Sequence, residues 1–252
     1  ASGESAISVF SRDPSSGALT YLALYRDNVG GVDGIQTPYG ITVSPDGTGV
    51  YAGGLAEDKV AAFTRNPATG LLTFVAAYQD GTGGIDGLDS VWRLTVSPDG
   101  AHVLACGWRD DGLAVFTRNP ATNALTFNQA YIDGGSLDGL GSAFSPFVSP
   151  DDAHVYVAAS GDGALSFFSR NASTGALTYN GRYKDGENGI DGLWGVKDVV
   201  VSPDGASVFA ASRDQNAVTA FRRATGTIGV HMVTVGVRED ITGKDFGNQK
   251  YT

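Results

Sequence analysis

Cysteine is almost absent from this 252-residue chain: Cys106 stands alone, so no disulfide can form within it. Its setting, Leu104-Ala105-Cys106-Gly107, reads as a buried apolar strand carrying a structural thiol rather than a reactive one. Positive charge is short as well. Lys and Arg number 17 against 27 Asp and Glu, a net charge of −10, which argues against nucleic acid and anionic membrane surfaces as partners, since both demand clustered cations. No apolar run approaches the roughly 20 residues of a membrane span, and no window sustains a 3.6-residue apolar period, so helix is expected to be nearly absent. Neither a phosphate-cradling loop nor a dinucleotide fingerprint occurs, because the glycine loops precede strands rather than helix N-termini. No signal peptide is evident. The first residue is Ala1 rather than Met, and the expectation is a processed, exported product: secreted, periplasmic or at the cell surface.

What the chain does have is glycine, 36 residues of it, and a repeat. Ser-Pro-Asp recurs at Ser44, Ser97, Ser149 and Ser202, spaced 53, 52 and 53 residues apart, each time followed by a strand-like run such as Gly49-Val50-Tyr51-Ala52. Other markers keep step. Phe10-Ser11-Arg12, Phe63-Thr64-Arg65, Phe116-Thr117-Arg118, Phe168-Ser169-Arg170 and Phe221-Arg222-Arg223 mark a strand end, and turns such as Asn66-Pro67-Ala68-Thr69-Gly70 follow. Each unit then carries a β-rich run and a loop that opens and closes on Asp. One unit reads as four strands, Ile41 to Val43, Gly49 to Gly54, Val60 to Thr64 and Leu71 to Tyr78, which is a propeller blade.

The expected fold is therefore an all-β propeller of four-stranded blades, a single domain over residues 1–252. Five blades is the favoured count. The N-terminal hairpin (Ile7 to Phe10, Leu19 to Tyr25) would share the fifth with the C-terminal segment, closing the ring and removing exposed sheet edges. Four blades with extra strands, and a piece of a longer propeller, are the rival counts. The last fourth strand is expected over Thr227 to Val235, leaving residues 238–252 as an atypical tail.

Ser-Pro-Asp-Gly, then Val-Tyr-Ala, then Val-x-x-Phe-Thr-Arg-Asn-Pro-x-Thr-Gly-x-Leu-Thr-Phe, resembles the bacterial lactonase-like β-propeller family, with its 6-phosphogluconolactonase and carboxymuconate-cyclase types, over roughly residues 6–222. The resemblance implies a propeller, usually seven-bladed in that family, and a hydrolase or isomerase acting on a lactone or cyclic sugar acid. The tail Asp240-Ile241-Thr242-Gly243-Lys244-Asp245-Phe246-Gly247-Asn248-Gln249 is similar instead to the closing strand of β-sandwich repeats in bacterial surface adhesins.

Positions that differ between repeats are the better site candidates, because shared ones are explained by blade building. Five residues before each Ser-Pro-Asp stand Tyr39, Trp92, Phe144 and Lys197, followed by Gly40, Arg93, Ser145 and Asp198; eleven after each serine stand Leu55, Trp108, Ser160 and Arg213. With Arg109 and Trp194 these gather aromatics and cations on one face, around the channel mouth. The candidate ligand-binding set is Tyr39, Trp92, Arg93, Trp108, Arg109, Phe144, Trp194, Lys197 and Arg213, suited to a sugar, aromatic acid or anionic small molecule. The opposing reading is that the aromatics plug the channel and the arginines pair with nearby aspartates. No cofactor is required on this reading. Calcium is the ion these loops would suit, through Asp27 and Asp33, Asp80 and Asp86, Asp133 and Asp138, and Asp185 and Asp191, against the simpler role of Asp-Gly pairs as turn formers. Asp110 and Asp111 read as a solvated loop.

Nucleophilic catalysis finds little support. Of three histidines, His102 and His154 share a turn position with Thr48 and Ser207, an interchange unsuited to a general base, and His231 stands alone. The balance of the sequence thus leans away from an enzyme, toward an exported propeller that binds a small molecule, glycan or protein at its top face. The alternatives are the lactone or sugar-acid hydrolase or isomerase, and a structural surface or assembly module.

Overall fold

The computed structural model describes residues 2–223 and 231–233. One 3-10 turn, Ser2–Glu4, precedes eighteen strands, as the missing helical period required. The first sheet has two strands, β1 (Ala6–Arg12) and β2 (Leu19–Arg26). Four sheets of four strands follow. They are β3 (Pro38–Val43), β4 (Gly49–Gly54), β5 (Lys59–Arg65) and β6 (Leu72–Gln79); β7 (Val91–Val96), β8 (His102–Gly107), β9 (Gly112–Arg118) and β10 (Leu125–Ile132); β11 (Ala143–Val148), β12 (His154–Ala159), β13 (Ala164–Arg170) and β14 (Leu177–Lys184); and β15 (Val196–Val201), β16 (Ser207–Ser212), β17 (Ala217–Arg222) and β18 (His231–Val233). Every pairing is antiparallel between strands consecutive in the chain, so each sheet is a meander and each is one blade. The tail expected to close the ring lies outside the described residues, as does most of the stretch from 227 to 235.

First strands of successive blades lie against one another, and each apolar cluster spans one blade boundary. Tyr51, Val60 and Ala62 pack with Leu88, Val91 and Phe116, and Leu104, Leu113 and Val115 with Leu140, Val155 and Phe168. Because a neighbour covers each face of a blade, the second strands need no alternation: β4 and β8 are buried at every residue. In the last blade β16 alternates, with Phe209 37% exposed, since no later sheet covers that face among the described residues. Cys106 lies buried in β8 as expected, and burial pushes its thiol pKa up.

The repeated motifs prove to be two halves of one connection. In each Ser-Pro-Asp turn the serine hydroxyl donates to the aspartate, at 2.6, 2.5, 2.6 and 2.5 Å. The arginine ending the third strand of the next blade then bonds that aspartate: Arg118 to Asp46 at 2.7 Å, Arg170 to Asp99 at 2.9 Å and Arg223 to Asp151 at 2.6 Å. The same arginines donate to a carbonyl of their own blade's turn, on Gly100, Asp152 and Gly205. Each guanidinium therefore bolts two turns together with charge-assisted bonds. The turn residue itself needs a left-handed backbone, which Gly47, Gly100 and Gly205 supply at φ 71, 72 and 71°. Asp152 takes the place in the third repeat at φ 61°, and its carboxylate gives Arg170 a second partner at 2.8 Å.

The expected interchange of Thr48 with the histidines is corrected by the register: Gly49 stands where His102 and His154 do, and Thr48 aligns with Ala101 and Ala153, yet all three side chains serve the equivalent arginine. Arg118 donates to the Thr48 hydroxyl at 2.9 Å, Arg170 to His102 Nδ1 at 2.8 Å and Arg223 to His154 Nδ1 at 2.7 Å. Guanidinium has no acceptor, so each imidazole must accept at Nδ1 and is neutral. Burial, and then the neighbouring arginine, hold both histidine pKa values down.

A second link repeats on the blade faces. The hydroxyls of Tyr25, Tyr78 and Tyr131 accept the backbone N–H of Leu72, Leu125 and Leu177 in the following blade, at 2.8, 2.6 and 2.6 Å.

Candidate functional site: the channel mouth

Each Asp-rich loop is closed from within before it delivers the inner strand. The loop's first aspartate accepts a backbone N–H seven or eight residues on: Asp27 from Ile35, Asp80 from Leu88, Asp133 from Leu140 and Asp185 from Leu193. The chain then passes through a left-handed residue, Thr37, Ser90, Ser142 or Gly195. The carbonyl of that residue accepts the N–H of the loop residue facing it, Leu55, Trp108, Ser160 or Arg213, at 3.4, 3.1, 3.1 and 3.2 Å.

Two residues later every inner strand carries a β-bulge. The ladder steps from Pro38↔Gly54 to Gly40↔Gly53, from Val91↔Gly107 to Arg93↔Cys106, from Ala143↔Ala159 to Ser145↔Ala158, and from Val196↔Ser212 to Asp198↔Ala211. The residues skipped are Tyr39, Trp92, Phe144 and Lys197. A bulge leaves its residue unpaired and re-aims its side chain, a device frequent beside active sites. It also explains why the first strand begins at Pro38 rather than at Ile41, where simple alternation starts.

The four bulge residues form one line. Tyr39 and Trp92 have ring centroids 4.3 Å apart, Trp92 and Phe144 stack at 4.5 Å with a 26° interplanar angle, and Lys197 Nζ lies 4.3 Å from the Phe144 centroid. The buried Trp92 indole N–H has no hydrogen-bond partner among the described residues. Lys197 Nζ donates to Ser160 Oγ at 3.1 Å. Its pKa is lowered, first by burial and then by the charge of Arg213, with Asp214 opposing. No space separates the first two strands here: a Cβ on Gly40 would stand 2.7 Å from the Trp92 carbonyl oxygen.

One residue further along each inner strand, Arg93 pairs with Asp198 at 3.0 Å across the intervening blade, and Ser145 Oγ donates to the same carboxylate at 2.7 Å. The remaining candidates make no ring contact with this line among the described residues. Arg109 lies 3.8 Å from Asp89, and Arg213, largely exposed, 2.6 Å from Asp214. Trp108 and Trp194 are exposed, and neither stacks on another ring among the described residues. Thus Tyr39, Trp92, Phe144 and Lys197 come together, Arg93 lies one residue beyond Trp92, and Trp108, Arg109, Trp194 and Arg213 are not joined to that line by a ring contact or hydrogen bond among the described residues. Ser145, Ser160 and Asp198 were absent from the candidate set although the repeat alignment passes through all three.

The acidic pairs form groups in three blades, each joined by a residue of the neighbouring loop: Asp27, Asp33 and Glu57; Asp80, Asp86 and Asp110; Asp133, Asp138 and Asp162. Lys59 occupies the first, 2.8 Å from Asp33 and 3.6 Å from Glu57. Arg182 and Lys184 face the third. In the fourth blade Gln215 bonds Asp185 and Asp191. Asp80, Asp86 and Asp110 have no cationic side chain within ion-pair distance among the described residues, and burial, then Asp110 and Asp86, raise the pKa of Asp80. Asp110 and Asp111 are not simply solvated: they accept the backbone N–H groups of Asp89 and Ser142.

Two overlapping stretches, residues 3–138 and 90–191, match the family model described as lactonase, 7-bladed beta-propeller. The chain belongs to this lactonase propeller family. The leaning away from an enzyme is corrected by that match, because the family is one of lactonases. No curated protein matches the chain significantly. Among solved structures, a putative 6-phosphogluconolactonase from Bacteroides uniformis has a TM-score of 0.70 at 20% identity, covering 90% of this chain and 64% of its own. The periplasmic gluconolactonase of Pseudomonas aeruginosa gives 0.72 at 20%, covering 91% and 62%. A protein from Lactobacillus plantarum gives 0.74 at 19%, covering 92% and 65%. At these identities the likeness is one of fold, and the chain spans less than two thirds of each of these proteins. Among the described residues no helix is long and apolar enough to cross a membrane.

Proposed function

We propose that this chain is a lactonase-type hydrolase that opens a sugar lactone at the channel mouth, on the line from Tyr39 through Trp92 and Phe144 to Lys197. The family match carries the reaction class. The site assignment rests on the Trp92 N–H, unpartnered among the described residues, within a run of packed rings. Aromatic faces take up the apolar C–H face of a sugar ring, a buried free donor waits for an oxygen acceptor, and Lys197 supplies a cation or, when neutral, a base. Export from the cytoplasm fits the likeness to a periplasmic gluconolactonase.

Hydrolysis of gluconolactone and its 6-phosphate, followed by acid release at constant pH and corrected for spontaneous opening, is the direct test. Catalysed opening of either is expected; rates equal to the buffer blank for both reject the reading.

A further inference from the structure

We propose that Ser160 and Lys197 form a nucleophile and base pair that opens the lactone through an acyl-enzyme on Ser160. This rests on the lactonase reading above for its substrate, and on independent geometry for its residues.

Lys197 Nζ and Ser160 Oγ are 3.1 Å apart across a blade boundary, Lys197 on the inner strand of one blade and Ser160 on the loop of the blade before it. Both ends are held. The Ser160 N–H bonds the Ser142 carbonyl at 3.1 Å, and the Lys197 bulge turns its side chain out of the ladder. The fold does not ask for a polar pair at this junction. Its equivalents in the two preceding boundaries are Leu55 with Trp92 and Trp108 with Phe144, and each of those boundaries has its own apolar cluster, so hydroxyl and amine are a local departure from an apolar pairing.

Charge sets Lys197 apart from the other mouth cations. Arg93, Arg109 and Arg213 each have a carboxylate within 4 Å, whereas Lys197 forms no ion pair among the described residues. The Phe144 face favours the ammonium; burial and then the Arg213 charge, with Asp214 opposing, lower the pKa toward the free amine. When charged, Lys197 donates to Oγ. When neutral, the hydrogen bond reverses and the serine hydroxyl donates to the amine, the arrangement that activates a serine nucleophile.

The reaction then balances with water as the sole co-reactant. Ser160 Oγ attacks the lactone carbonyl carbon while its proton passes to Lys197 Nζ. The ring C–O bond breaks, and the ring oxygen leaves as a hydroxyl carrying that proton. Water attacks the resulting ester, giving a proton to Lys197. The ester bond breaks, Ser160 recovers the proton, and a hydroxy acid departs.

The test uses two readouts on the intact protein. p-Nitrophenyl acetate is added, the reaction is quenched in acid and peptides are mapped by mass; gluconolactone hydrolysis is measured in parallel. Acetyl on Ser160 is expected, forming faster as pH rises toward a midpoint below the ordinary lysine value of 10.5. Ser160→Ala should abolish the adduct. Lys197→Met should slow it about 10²- to 10³-fold, and Lys197→Arg, which keeps the charge, should be no better. Lactone hydrolysis without a Ser160 adduct, an adduct on Lys197 instead, or full activity in Ser160→Ala each rejects the pair and leaves the lactonase reading standing. A Ser160 adduct without sugar-lactone hydrolysis rejects that reading and keeps the pair. Absence of both the adduct and lactone hydrolysis overturns the pair and the lactonase reading together.

Discussion

Arg170, whose side chain has no exposed surface, reaches out of its own blade to bond Asp99 of the blade before it at 2.9 Å. Its other terminal nitrogen holds Asp152 at 2.8 Å. Two carboxylates are thereby kept in a partly dry boundary by one guanidinium.

Removing that guanidinium leaves both carboxylates facing an empty boundary. Arg170→Met should cost about 3 kcal/mol, read as a lowered midpoint in urea at unchanged slope. Arg65 bonds the Gly47 carbonyl and has no carboxylate partner among the described residues, so Arg65→Met should cost far less. Equal losses would show that the aspartates do not depend on the clamp.

Acid should weaken the molecule in two stages. His102 and His154 have folded pKa values below the ordinary 6.5, so below that pH the unfolded chain takes up protons first. Their contribution is complete above about pH 6.5 and is lost as pH falls. The second stage begins below about pH 4. Burial raises the pKa of Asp151, but the Ser149 hydroxyl and Arg223 outweigh it and hold the group at about 2; Asp99 is lowered by like bonds from Ser97 and Arg170, also against burial. Asp152, raised by burial and by Asp99, runs the other way and softens that stage. His102→Gln with His154→Gln keeps an acceptor for each arginine without a titrating ring and should flatten stability between about pH 8 and 5 while keeping the acid limb. A slope that persists in the double variant locates the proton uptake elsewhere.

At the mouth, Trp92→Ala removes the middle of the aromatic line and should raise KM for gluconolactone about 10-fold, within the range of a lost stacking contact. Trp92→Phe keeps the stack but not the N–H, and an intermediate KM is expected. Unchanged KM in both places the sugar elsewhere.

Calcium separates the acidic groups from one another. Millimolar calcium should raise the melting midpoint through Asp80, Asp86 and Asp110, and Asp110→Asn should remove the rise. Asp33→Asn should leave it, because Lys59 already balances that group. An unmoved midpoint in the unaltered protein assigns all these aspartates to loop closure alone.

The blade pattern was legible because each repeat spells its turns: strand β4 matches Gly49 to Gly54 residue for residue, β5 extends its expected run by one residue at each end, and β6 is shifted from Leu71 to Tyr78 by one residue. Inner strands were read short, since the bulge at Tyr39 breaks the alternation that announces a strand. The Arg–Asp clamps were visible as motifs yet not as partners, because Asp46 and Arg118 lie 72 positions apart, farther than one repeat. Tyr39, Trp92, Phe144 and Lys197 were found by asking where repeats differ. Ser160 was aligned by the same question and passed over, as a serine beside a glycine looks like a turn until a lysine from the next blade arrives above it.

A residue skipped by its ladder answers to no cross-strand neighbour. Tyrosine, tryptophan, phenylalanine and lysine occupy one such address in four consecutive blades without disturbing the hydrogen bonds on either side. Each of these four blades thus offers an interchangeable socket on its inner strand, and the chemistry there can be rewritten one socket at a time while the scaffold holds still.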